Sequence, residues 1–64
     1  MRTRADFVAK RSVIEWAGIR AKVLTVTDVE GGVVLRIRPE RVFAEILELE
    51  LSTDDWVTVV GYSV

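Results

Sequence analysis

Val23-Leu24-Thr25-Val26-Thr27-Asp28-Val29-Glu30-Gly31-Gly32-Val33-Val34-Leu35-Arg36-Ile37-Arg38 reads as a β-hairpin. Both arms are rich in β-branched residues, and Gly31-Gly32 between them tolerates the positive φ angles of a type I′ turn. Taking that pair as a two-residue loop sets Val29 opposite Val34, Asp28 opposite Leu35, Thr27 opposite Arg36, Val26 opposite Ile37 and Thr25 opposite Arg38. One face then gathers Leu24, Val26, Val33, Leu35 and Ile37, and the other Thr25, Thr27, Arg36 and Arg38. A side-chain period of two makes this separation a test of register, and the hairpin passes it.

Downstream, Pro39 ends the second arm and suits the first position of a helix, where its missing N–H costs nothing. Residues 40–49 are strong helix formers. Val42, Phe43, Ile46, Leu47 and Leu49 share one arc, with Arg41, Glu45 and Glu48 opposite. The competing signal is the strict alternation of Leu47-Glu48-Leu49-Glu50-Leu51, which is a strand pattern. Helix is the preferred reading of 40–49. Ser52-Thr53-Asp54-Asp55 is a turn cluster, and a final strand follows over 56–64, with Trp56, Thr58, Val60, Tyr62 and Val64 on one face.

Upstream, residues 3–17 read as a helix. Thr3-x-x-Asp6 has the form of a capping box, and Gly18 supplies the stop, with Ile19 placed to touch Ile14 in a Schellman motif. Arg4, Arg11, Glu15 and Gly18 form a narrow polar face, while Phe7, Ala9, Val13, Ile14, Trp16 and Ala17 spread over a wide apolar arc. The expected architecture is therefore α+β: an N-terminal helix, a β-hairpin, a second helix or strand, and a C-terminal strand, in one domain over residues 1–64. The ending Leu51-Ser52-Thr53-Asp54-Asp55-Trp56-Val57-Thr58-Val59-Val60-Gly61-Tyr62 resembles the last turn and strand of many small OB-like or SH3-like barrels. That resemblance spans a dozen residues and carries no diagnostic motif. It implies an alternative, a helix followed by a small four- or five-stranded β-barrel with residues 40–51 as strand.

Composition bounds the chemistry. A 64-residue chain buries only about 60% of the surface its unfolded form exposes, so its core is marginal. With neither Cys nor His, disulfide and structural zinc staples are excluded. Half the residues are hydrophobic, twelve of them Val, more than a small monomer needs for its core, so part of that surface is expected to meet a partner. Asn and Gln are also missing and Met occurs only as Met1, an economy in thermolabile side chains that points to a thermophilic host or its virus. No apolar run approaches the roughly 20 residues of a membrane-spanning helix, and no signal-peptide pattern is seen. A cytoplasmic or virion-associated setting, with no membrane partner, is expected.

The net charge is −1 but uneven: residues 1–22 carry +4 and residues 23–64 carry −5. A nucleic-acid surface would draw on Arg20, Lys22, Arg36 and Arg38, whose cations can meet phosphates. Against it stand an isoelectric point near 5.3 and a hairpin face without aromatics to stack bases. Catalysis has little to work with. Glu48, Glu50, Asp54 and Asp55 are the only clustered carboxylates, and Ser or Thr nucleophiles would depend on Lys10, Lys22 or a carboxylate as base. No EF-hand or phosphate-loop spacing occurs, so no metal, cofactor or small-molecule substrate is expected. The chain reads as a non-enzymatic protein–protein interaction or assembly module, a homo-oligomer or part of a larger complex, with Trp16, Trp56 and Tyr62 as candidate interface anchors. A small nucleic-acid-binding regulator is the alternative.

Overall fold

The computed structural model describes residues 1–41 and 44–63. They form six antiparallel strands: β1 (Arg2–Arg4), β2 (Ser12–Trp16), β3 (Ile19–Val29), β4 (Gly32–Pro39), β5 (Leu47–Ser52) and β6 (Trp56–Tyr62). A single 3₁₀ turn, Ala5–Phe7, follows β1. The sheet is open, in the order β1-β6-β2-β3-β4-β5, so β1 and β5 are its edges. The sheet coils, and the 3₁₀ turn after one edge packs against β4 and β5 at the other. Ala5 and Val8 are thereby buried in the same core as Ile14, Ala21, Val23, Val33, Leu35, Ile37, Leu51, Val57 and Val59.

This architecture corrects the α+β expectation, and with it the helix-plus-barrel alternative, since no α-helix occurs among the described residues. The helix expected over 3–17 is replaced by β1, the 3₁₀ turn and β2. Its signals have other uses. Thr3 sits in β1 opposite Val57, and Asp6 takes Nη2 of Arg4 at 3.1 Å instead of capping a backbone N–H. Gly18 does not stop a helix: Ala17 (φ 50°) and Gly18 (φ 80°) are the two central residues of a hairpin turn closed by Trp16 opposite Ile19. Positive φ at both positions is the type I′ requirement. The wide apolar arc resolves into strand alternation, with Ser12 and Ile14 buried and Glu15 exposed.

The second helix, expected over 40–49, is also overturned; of its residues, Val42 and Phe43 lie outside the described residues, as does Val64 of the final strand. Leu47–Ser52 is a strand, and the alternation prevails over helix propensity because of what β4 offers. Leu47, Leu49 and Leu51 pair with Ile37, Leu35 and Val33, three fully buried side chains. Of the three leucines, Leu51 is buried and Leu49 half-buried; burying a leucine fully is worth about 1.5–3 kcal/mol, more than the few tenths that separate helix propensities.

The hairpin forms with a different register. Its turn is Glu30-Gly31, closed by Val29 opposite Gly32, and only Gly31 takes a positive φ there (75°), so it is not a type I′ turn. Val26 thus faces Leu35 rather than Ile37, and Thr25 faces Arg36 rather than Arg38. The slip is two residues, which preserves the two faces near the turn. Farther from it, β3 spends two residues, Val23 to Thr25, against one step of β4, Ile37 to Arg36. This β-bulge at Leu24 inverts the alternation, so Val23 and Ala21 enter the core and Leu24 is only half-buried. Gly32 is fixed by a close approach: a Cβ there would run into the backbone carbonyl of Leu51 on β5.

Candidate interaction surface

The four candidate nucleic-acid contacts are held by β3 and β4, with side chains alternating away from the core residues Ala21, Val23, Leu35 and Ile37. Their cross-strand neighbours differ. Arg20 stands opposite Glu15 of β2, and Arg36 lies between Thr25 of β3 and Glu48 of β5. Two of the four cations therefore face a carboxylate in the ladder. Lys22 and Arg38 face one another, and Lys22 has Val13 on its other side. The register brings the basic row together but sets the acidic outer row of β5, Glu48 and Glu50, beside it.

The candidate anchors are separated. Trp16 is half-buried and packs against the core. Trp56 is 56% exposed, with the Arg2 guanidinium 5.7 Å from its ring centre. Tyr62 is 66% exposed at the end of β6. The β2–β6 ladder shifts register between Val13 and Ile14, leaving Val60 unopposed and placing Tyr62 opposite the buried Ser12. That bulge interrupts the alternation expected to keep Tyr62 on the face of Trp56, Thr58 and Val60.

At the 52–55 turn the Asp55 carboxylate is used structurally. Oδ2 of Asp55 accepts the Ser52 N–H at 2.9 Å, and the Asp54 N–H donates to Oγ of Ser52 at 3.4 Å. The Asp55 carbonyl accepts the Ala5 N–H at 2.7 Å, and the Thr53 carbonyl accepts Nε of Arg4 at 3.4 Å. These bonds tie the 3₁₀ turn to the β5–β6 connection. Among the described residues no three carboxylates are grouped to hold a metal ion, and no helix is long and apolar enough to cross a membrane.

The feature that the reading of individual residues missed is the β5 edge. It is six residues long, and among the described residues it pairs in the sheet on one side only. Its N-terminal end leaves Leu47 40% exposed and the preceding Ile46 41% exposed, while Leu51 at the other end is buried. The other edge differs in length and charge: β1 has three residues, and Arg2 and Arg4 flank its single inward Thr3. β1 is thus the short, basic edge, and β5 the longer one, with Leu47 exposed at its start and neither Lys nor Pro to discourage pairing. The Leu-Glu alternation carried this signal, but it becomes an edge only through the place of β5 at the end of the sheet order, beside β4.

Comparison with protein-family models, with curated proteins and with solved structures returns no match to this chain.

Proposed function

We propose that this chain is a non-enzymatic assembly module that associates through the free edge of β5. The observation that carries the reading is the exposure of Leu47, and of Ile46 just before it, on a six-residue strand that among the described residues is paired in the sheet with β4 alone. Strand addition at such an edge supplies main-chain hydrogen bonds, and the exposed Leu47 and Ile46 add apolar contact. The surplus of hydrophobic residues over what 64 residues can bury supports the same reading. A homo-oligomer is the proposed state. Absence of Cys, Asn and Gln supports a thermophilic host or its virus as the setting, in cytoplasm or virion.

The test is light scattering across a concentration series, with Leu47→Lys as the variant. A Lys at that position blunts an edge, and because Leu47 is 40% exposed its ammonium can reach solvent while its stem stays beside Ile37. The wild-type mass is expected to rise above one chain and the variant's to fall back towards it, with unchanged circular dichroism. A strictly monomeric wild-type protein at high concentration, or an assembly indifferent to Leu47→Lys, overturns the reading.

A second reading, anion or nucleic-acid binding, is favoured by one observation: the direct opposition of Lys22 and Arg38 with no acid in their row. A gel shift at low salt that disappears with Lys22→Glu and Arg38→Glu would support it, and no shift at low salt would remove it.

A further inference from the structure

The two edges of this sheet are complementary to one another. β5 alternates leucine with glutamate, and its partners in β4 fix which residues point where. Leu47, Leu49 and Leu51 lie on the core side opposite Ile37, Leu35 and Val33, while Glu48 and Glu50 lie on the outer side opposite Arg36 and Val34. β1 is read in the same way from β6. Thr3 faces the buried Val57, and Arg2 and Arg4 face Thr58 and the exposed Trp56 on the outer side. One edge is therefore acid outside and apolar inside, and the other is basic outside with a small neutral residue inside.

We infer that the occupant of the β5 edge is β1 of a second copy of this chain, paired head to tail, with Arg2 of one copy alongside Glu50 of the next, while Arg4 stays with Asp6 and the Thr53 carbonyl of its own chain. The inference rests on the reading of β5 as the associating edge and adds the identity of its partner. Self-pairing of two β5 strands is disfavoured because it sets glutamates against glutamates on the outer side, where like charges directly opposite are destabilising. A head-to-tail contact uses two different patches, so it propagates into a ring if the rotation closes and into a filament if it does not. It also sets part of the basic N-terminal stretch, Arg2, against part of the acidic C-terminal stretch, Glu50.

The experiment is a charge reversal followed by restoration, read by sedimentation of the full chain. Glu50→Arg is suitable because Glu50 faces the neutral Val34 within its own sheet. Arg2→Glu is its counterpart on β1. Each single variant is expected to weaken self-association about tenfold or more, the effect of roughly 1.4 kcal/mol at an interface. The double variant Arg2→Glu with Glu50→Arg is expected to recover most of it. Circular dichroism confirms that each variant keeps its fold. If Arg2→Glu leaves association unchanged while Leu47→Lys and Glu50→Arg alter it, the head-to-tail inference is overturned and β5 remains the associating edge. If Leu47→Lys is also without effect, both readings fail. Weakening in both single variants without recovery in the double also overturns the pairing of these two edges.

Discussion

Lys22 and Arg38 stand directly opposite one another across the β3–β4 ladder, cation against cation, with Val13 rather than an acid on the other side of Lys22. Elsewhere in the sheet the same kind of neighbour is matched, as where Glu15 faces Arg20 and Arg36 faces Glu48. A like-charged pair costs a few tenths to about 1 kcal/mol relative to a neutral one. Lys22→Glu is therefore expected to raise stability by about 0.5–1 kcal/mol in urea unfolding, with an unchanged dependence on denaturant. A loss of stability would mean that the Lys22 stem contributes packing that the charge argument omits.

Ala17 holds φ at 50° in the turn between β2 and β3, a conformation that L-residues other than Asn, Asp and Gly adopt reluctantly. Asn-Gly is the preferred pair for a type I′ turn. Ala17→Asn should accordingly stabilise the protein by about 1 kcal/mol, seen as a higher midpoint in thermal or urea unfolding. A neutral or destabilising result would contradict the turn assignment.

Gly32 lets β5 lie close against the start of β4, because a Cβ at that position would meet the carbonyl of Leu51. Backbone cannot swing aside as a long side chain can. Gly32→Ala is expected to cost about 1–3 kcal/mol, lowering the melting midpoint by roughly 4–8 °C per kcal/mol in a domain of this size. Gly31→Ala is a useful contrast, since a Cβ there meets nothing and the cost is that of a positive φ alone.

The hairpin over 23–38 was legible because β-branched residues and paired glycines agree over a short range. Its register was not, since Gly31-Gly32 admits two placements of the turn, and only the contact of Gly32 with Leu51 distinguishes them. The bulge at Leu24 was likewise invisible, because local alternation of Leu24 and Val26 is the same with or without it. At the N-terminus, Thr3, Asp6 and Gly18 are legitimate helix-boundary residues. What displaces the helix is remote: β1 and β2 both pair with β6, at the other end of the chain. The β5 edge depended on the same kind of information, as Leu47-Glu48-Leu49 shows a strand but not which of its sides pairs.

The composition adds a prediction about heat. A chain without Asn, Gln or Cys, and with 30% charged residues, is expected to melt above the roughly 45–65 °C band typical of mesophile domains. Differential scanning calorimetry at several protein concentrations checks this. The proposed assembly would couple to folding, so the midpoint should also rise with concentration. A midpoint within the mesophile band would remove the thermophilic reading.

The most direct test of association at the β5 edge is backbone amide hydrogen exchange compared between dilute and concentrated protein. Protection should rise with concentration across Leu47–Ser52 and across Arg2–Arg4, the two edges, while β3, central in the sheet, stays unchanged. Equal protection of Leu47–Ser52 at both concentrations, in a sample whose mass does increase, would contradict the account.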